Sequence, residues 1–221
     1  MSSWIDIPSN SDFSLENIPF GVYSNNHGPR AATRIGNTVV DLDVLHKAGL
    51  FSGISLPEEV FSQPVLNDFI ALGKPVTNAT RARIQELFST NNSQLQGNEQ
   101  LKIDALWKLD EVQMHLPIRV GDYTDFYSSR EHATNVGTLF RDPANALFPN
   151  WSHLPVGYHG RASSIVVSGT PIHRPKGQTK ADDADVPSYG PCRLLDFELE
   201  MAFIVGKSND LGSSVSVEKA E

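Results

Sequence analysis

The chain has 221 residues, of which 39% are hydrophobic and 20% are charged, a composition typical of one or two globular domains. Its formal net charge of -8 at pH 7 argues against nucleic acid or an anionic membrane as a partner, because both attract clustered basic residues. No apolar run approaches the roughly 18 residues of a membrane-spanning helix, and the polar start does not resemble a secretory signal. The single cysteine, Cys192, cannot form an intrachain disulfide, and we therefore expect a cytoplasmic protein.

The first part of the chain, residues 1–117, predicts a small α+β domain. Residues 21–24 form a short strand-like run. Two further runs in residues 30–42 flank Gly36 and Asn37, a pair that favours a tight hairpin turn. We therefore expect an antiparallel sheet near the start of the chain.

Helical patterns follow these strands. Two helices each align three apolar side chains on one face. The aligned residues are Val65, Phe69 and Leu72 in the first helix and Ile84, Leu87 and Phe88 in the second. Gly73 is predicted to end the first of these helices, a third helix-like run covers residues 101–109, and the alternation over residues 112–116 predicts a strand.

Residues 118–221 predict a mainly β second domain. Glycine and proline become dense, and residues 163–172 and 192–206 have the composition of strands. A helix is predicted to begin after Ser214 or Ser216 and to have about one turn before residue 221, which is too short to be stable alone in water. We therefore expect this domain to be incomplete in the chain.

The second predicted strand carries three acids in alternation. Period two sends Asp196, Glu198 and Glu200 to one face and apolar side chains to the other. One interpretation is a solvated acidic face. However, like charges in one file repel one another, and Glu198 and Glu200 are close enough on a strand to bind one hard cation such as Ca²⁺ or Mg²⁺.

The polar residues 121–137 predict a helix with a possible site on one face. Thr124 or Asp125 can cap a helix that ends at Gly137. Positions 125 and 132 are two turns apart on such a helix, so Asp125 and His132 could face one cleft. The alternatives are that Asp125 is only a cap and that His132 is an ordinary surface residue.

Two further stretches offer polar groups. Tyr158, His159 and Arg161 lie in a glycine-rich turn before the predicted strand of residues 163–172. They are either site residues or decoration of a turn. Arg141 could bind a carboxylate ligand or simply pair with Asp142.

Three motifs together resemble the fumarylacetoacetate hydrolase family, in the order expected for it. They are "GDYTDFYSSREHATNVGTLFRDPANALFPNW", "LPVGYHGRASSIVVSGTPI" and "LLDFELEMAFIVG". The early "PFGVYS" and "RIGNTVVDL" are similar to the family's amino-terminal domain. The resemblance implies an α+β, mainly β fold: a small barrel-like domain over residues 1–117, then the first part of a truncated, mixed β-roll catalytic domain over residues 118–221, working as a homodimer.

The resemblance also implies a reaction and a set of site residues. The reaction is hydrolysis of the carbon–carbon bond of 4-fumarylacetoacetate to fumarate and acetoacetate, the last step of tyrosine and phenylalanine degradation. The implied ligands of Ca²⁺ and/or Mg²⁺ are Asp125, Glu198 and Glu200, the general base is His132, and the substrate-binding residues are Tyr127, Arg141 and Tyr158. Asp196 falls outside this set.

Two other interpretations stay open. The family's remaining metal ligand, its lysine and its glutamate partner for the histidine are not found in these residues, so the chain could be a non-catalytic fragment of the enzyme. A related hydrolase or decarboxylase of diketones on the same fold is the other alternative.

Overall fold

A computed structural model describes residues 2–154 and 156–220. The chain divides into two compact units, one formed by Met1–Pro117 together with Val167–Glu221 and one formed by Ile118–Val166. The expected domain boundary between residues 117 and 118 stays a prediction. None of the helices in the two described ranges is long and apolar enough to cross a membrane.

An antiparallel five-stranded sheet is the main element of the first unit. Its strands lie in the order β4-β3-β2-β1-β5, and all neighbouring pairs are antiparallel. They are β1 (Phe20–Ser24), β2 (Arg30–Ile35), β3 (Thr38–Asp41), β4 (Leu106–Lys108) and β5 (Gln113–His115). This sheet and its helices confirm the α+β, mainly β class.

The turn between β2 and β3 forms as the sequence predicts. Gly36 has φ 55°, a left-handed conformation that glycine adopts without steric cost. A Cβ at this position would also lie 2.7 Å from the Asp6 carbonyl oxygen. Both the turn geometry and the close approach of the backbone therefore require glycine.

The helices of the first unit are α1 (Leu42–Lys47), α2 (Asn67–Ala71), α3 (Lys74–Phe88) and α4 (Glu99–Ala105). The predicted apolar face of α3 is confirmed, since its three aligned side chains are buried. The helix α2 is shorter than predicted, because it begins at Asn67 and leaves Val65 outside. Of its predicted face only Phe69 is buried.

Aromatic rings form a connected part of the core of this unit. The ring of Phe69 packs against Phe20 and Phe61 with centroids 4.9 and 5.1 Å apart, and Phe61 packs against Phe51 at 5.7 Å. Ring pairs at these separations contribute about 0.5–1.5 kcal/mol each beyond the area they bury. This series of contacts ties α2 and the loop before it to β1.

The run at residues 101–109 is helical only in its first half. The helix α4 ends at Ala105, and Leu106–Lys108 then pair with β3, where Trp107 lies opposite Val39. The prediction of a helix was wrong there because a strand partner is available. The predicted strand at residues 112–116 is confirmed as β5, which pairs with β1.

The later strands differ from the prediction. The strand expected over residues 163–172 is wrong, since those residues hold only a short 3-10 turn at Ala162–Ser164. Strands form instead at β8 (Lys176–Thr179) and β9 (Ser188–Pro191), which pair with each other in antiparallel orientation. The residues of both strands are exposed, except for the half-buried Gly190.

The acidic stretch is not a strand either. Across residues 192–206 no regular secondary structure occurs in the described chain. Its apolar side chains are exposed, with 94% exposure at Leu199 and 96% at Met201. A strand needs a neighbour to receive its backbone hydrogen bonds. The Cys192 N–H donates such a bond to the Pro175 carbonyl at 2.8 Å, but within the described ranges no strand pairs with residues 193–206, so the alternation alone does not produce one. Beyond this stretch, the last helix, α6 (Val217–Ala220), follows Ser216 as predicted.

Candidate functional site

The second unit contains the helix α5 (Arg130–Phe140), and Ser129 caps it. The Ser129 hydroxyl oxygen accepts a hydrogen bond from the His132 N–H at 3.3 Å. The predictions that Thr124 or Asp125 caps the helix, and that Gly137 ends it, are wrong. Asp125 precedes the helix in a strand, so its proposed alignment with His132 on one helical face is also wrong.

Asp125 and Tyr158 are brought together by a short two-stranded sheet. The strands β6 (Asp125–Phe126) and β7 (Gly157–Tyr158) are antiparallel, and Asp125 lies directly opposite Tyr158. Side chains directly opposite one another project from the same face of a sheet. Asp125 is partly buried, whereas Tyr158 is 58% exposed. Two residues that the sequence placed in separate motifs are therefore neighbours.

Tyr127 and His132 form a second pair. Their ring centroids are 5.3 Å apart at an interplanar angle of 81°, the edge-to-face arrangement that aromatic quadrupoles favour. The Tyr127 hydroxyl donates a long hydrogen bond, 3.4 Å, to the Ala133 carbonyl. The predicted substrate contact and the predicted base thus share one corner of the unit, where β6 leads into α5.

Arg141 binds the backbone of its own loop. Its Nε and Nη2 donate to the Ala146 carbonyl at 3.1 and 2.7 Å, and its guanidinium lies 4.4 Å from the centroid of the Phe148 ring. The alternative pairing with Asp142 is wrong, because Asp142 caps the 3-10 turn that follows by accepting from the Ala144 N–H. The expected role of Arg141 in substrate binding stays a prediction.

The same carbonyl explains the glycine within α5. Gly137 is buried, and a Cβ at this position would collide with the Ala146 carbonyl oxygen. The helix continues through Gly137 to Phe140. Glycine at this position permits close packing against the Ala146 carbonyl and does not end the helix. Gly137 and Arg141 both contact the Ala146 carbonyl, and so they attach the carboxyl-terminal end of the helix that carries His132 to the loop after it.

Glu198 and Glu200 lie in the other unit, in the stretch without regular structure. Their carboxylate oxygens come within 4.8 Å of each other. Two carboxylates that bind one Ca²⁺ at 2.3–2.6 Å each place their oxygens at most about 5 Å apart. The spacing of the two carboxylates is within that limit, and irregular backbone instead of the predicted strand brings them together.

The sequence did not indicate a network of polar side chains around the buried Asp41 in the first unit. The Tyr23 hydroxyl donates to Asp41 Oδ2 at 2.6 Å, and Arg30 Nη1 lies 3.3 Å from the same oxygen. Asp41 also caps α1 by accepting from the Val44 N–H at 3.0 Å. An acid directly before a helical run is a capping signal, and that feature of the sequence could have indicated Asp41.

Burial dominates the protonation of this network. It raises the pKa of Asp41, while the Tyr23 hydroxyl, the Val44 N–H and the Arg30 guanidinium act in the opposite direction. Burial and the hydrogen bond to Asp41 also raise the pKa of Tyr23 above its ordinary value of 10.0. The network therefore holds the tyrosine in its neutral, donating form.

Sequence models of two protein domains match the chain. The domain described as "Fumarylacetoacetase N-terminal" matches residues 16–117, and the domain described as "Fumarylacetoacetate (FAA) hydrolase C-terminal" matches residues 122–221. The chain belongs to the fumarylacetoacetase family. The resemblance of the three sequence motifs to this family is thereby confirmed.

Individual family members are similar over the whole chain. Fumarylacetoacetase of Caenorhabditis elegans is 52% identical, with 100% of this chain and 54% of the relative covered. The Homo sapiens protein is 50% identical over 99% of this chain and 52% of its own length, and the Dictyostelium discoideum protein is 49% identical over 100% and 53%. The chain spans about half the length of the curated relatives it matches.

Proposed function

We propose that these residues belong to an enzyme that hydrolyses the carbon–carbon bond of 4-fumarylacetoacetate to fumarate and acetoacetate. The observation that carries the proposal is the match to both domains of the family, with relatives about 50% identical that are named fumarylacetoacetase. The pairing of Tyr127 with His132 in one corner of the second unit adds local support.

His132 would act as the general base. A neutral imidazole can accept a proton from water at cellular pH, and the water oxygen then bonds to the ketone carbon of the fumaryl group. The carbon–carbon bond breaks, which releases fumarate, and the acetoacetate fragment leaves with the electron pair and takes up a proton. Tyr127 and Tyr158 would orient the substrate so that the scissile carbon faces the water.

Arg141 would both hold its own loop and bind the substrate. Its Nε and Nη2 already hold the Ala146 carbonyl, and a guanidinium has five N–H donors. Its other donors could therefore bind a substrate carboxylate while the loop stays fastened.

Glu198, Glu200 and Asp125 would hold the divalent cation, Ca²⁺ and/or Mg²⁺. The all-oxygen donor set and the spacing of the two glutamates suit such a hard ion. When bound, the cation would supply Lewis acidity toward the diketone oxygens of the substrate. We also propose the family's small barrel and β-roll domains, a homodimer and a cytoplasmic location, the last because the lone cysteine favours a reducing compartment.

Replacement of the base tests the proposal. In a protein that carries these residues and has the full length of its relatives, His132→Ala should lower turnover of fumarylacetoacetate at least about 100-fold, the usual contribution of a general base. His27→Ala, at an exposed position of the first unit, is the matched control and should retain activity. Near-normal turnover by His132→Ala would refute the assigned role.

A further inference from the structure

Trp151 contacts the backbone of Tyr127 through its indole ring. Its indole Nε1–H donates a 2.8 Å hydrogen bond to the Tyr127 carbonyl. The Tyr127 N–H in turn donates to the Val156 carbonyl at 2.8 Å. Both backbone polar groups of Tyr127 are therefore fixed by residues from the loop that leads into β7.

Tyr127 lies at the junction between a strand and a helix. It follows β6 directly, and Ser129 caps α5 two residues later. The two backbone hydrogen bonds therefore contribute to the direction of the Tyr127 side chain, together with the hydroxyl bond to the Ala133 carbonyl. Because the Tyr127 ring packs edge-to-face against His132 at 5.3 Å, a rotation of this backbone would also move the surroundings of the imidazole.

We propose that Trp151 is a positioning residue for the Tyr127–His132 pair. Its indole N–H fixes the Tyr127 carbonyl, the fixed backbone directs the Tyr127 ring, and the ring limits the orientations of the His132 imidazole. The catalytic consequence rests on the proposed function, whereas the placement of the two rings does not. Groups that act on a reacting centre must be held closely, since a displacement of about 1 Å can lower a rate about 100-fold.

The other tryptophans provide matched controls. Trp4 Nε1–H donates at 2.9 Å to the Leu87 carbonyl in the first unit, so Trp4→Phe removes a hydrogen bond of the same kind elsewhere. Trp107 has a buried Nε1 that finds no acceptor within the described chain, so Trp107→Phe removes none. Phenylalanine preserves an aromatic ring at all three positions.

Nuclear magnetic resonance of the 221-residue chain tests the placement of the rings. In Trp151→Phe, we expect loss or weakening of the Overhauser cross-peak between the rings of Tyr127 and His132, together with a shift of the His132 ring protons. Both signals should be unchanged in Trp4→Phe and Trp107→Phe. The unaltered chain gives a test without substitution: the Trp151 indole N–H should exchange more slowly than that of free tryptophan, and exchange at the free rate would overturn the proposal.

Kinetics test the consequence in a protein of the relatives' full length. Trp151→Phe should lower kcat/KM about 10- to 100-fold, while Trp4→Phe, which loses a comparable hydrogen bond, should leave it unchanged. Equal losses in these two variants, or an unchanged cross-peak in Trp151→Phe, would refute positioning by Trp151. If the unaltered protein does not hydrolyse fumarylacetoacetate, the proposed function fails, and the resonance experiment still decides the role of Trp151.

Discussion

Gly137→Ala tests the packing of α5 against the loop that follows it, because two physical effects would change the free energy of unfolding in opposite directions. In an unobstructed helix interior, replacement of glycine by alanine stabilises the helix by about 1 kcal/mol. At Gly137, however, the new Cβ would collide with the Ala146 carbonyl oxygen. The obstacle is backbone, so it cannot rotate away as a side chain would, and overpacking of this kind costs about 1–3 kcal/mol. The Ala146 carbonyl also accepts two hydrogen bonds from Arg141, so a displacement of this carbonyl would weaken both of them.

Because the obstacle is backbone, we take the upper part of that range, about 2–3 kcal/mol, and subtract the gain of about 1 kcal/mol in helix propensity. We therefore expect Gly137→Ala to lower the free energy of unfolding by about 1–2 kcal/mol. Urea unfolding gives the stability, and hydrogen exchange of the α5 amides shows whether the loss is local. Gly28→Ala is the control, because a Cβ there would have no neighbour within 4 Å. A Gly137→Ala chain as stable as the unaltered chain would refute the reasoning.

Three further predictions concern charged and hydroxyl groups. The buried Asp41 carboxylate has three partners, and Asp41→Ala should lower the free energy of unfolding in urea by about 3–5 kcal/mol. Tyr23→Phe removes one of these partners and should lower it by about 1.5–3 kcal/mol. Equal losses of stability in the two variants would contradict a network centred on Asp41. Because the pKa of Tyr23 is raised above 10.0, the unfolded chain loses this proton first, so stability should fall as pH rises beyond about 10 and should fall less steeply in Tyr23→Phe. In calorimetric titrations, joint replacement Glu198→Gln and Glu200→Gln should weaken Ca²⁺ binding at least about tenfold, while Asp196→Asn should not; equal effects would remove the glutamates from the proposed ligand set.

Local sequence patterns predicted the elements that local contacts determine. The turn at Gly36 follows from a residue that adopts a left-handed conformation between two strands, and the buried face of α3 follows from helical spacing. The start of α5 was mistaken because several residues before it can cap a helix. Ser129 is the cap in the structure because Asp125 and Phe126 pair with a strand that is distant in sequence, and helix patterns carry no information about that pairing.

Two pairs of the predicted site residues are neighbours in the structure, but the geometry that joins them differs from the prediction. Asp125 and Tyr158 are adjacent through strand pairing, and Tyr127 contacts His132, yet the helical argument that linked Asp125 with His132 was wrong. Trp151 could not be found from spacing, because its contribution is one hydrogen bond to a backbone carbonyl. Any residue type has that carbonyl, so no sequence pattern marks the acceptor.

Product analysis most directly tests the proposal that this chain provides part of a fumarylacetoacetate hydrolase site. A protein that carries these residues at the full length of its relatives should convert fumarylacetoacetate to fumarate and acetoacetate in equal amounts, and this activity should disappear in His132→Ala. The proposed hydrolysis would be contradicted by decarboxylation, or by cleavage of other acylpyruvates without turnover of fumarylacetoacetate. Full activity in His132→Ala would contradict the role of His132 as the base.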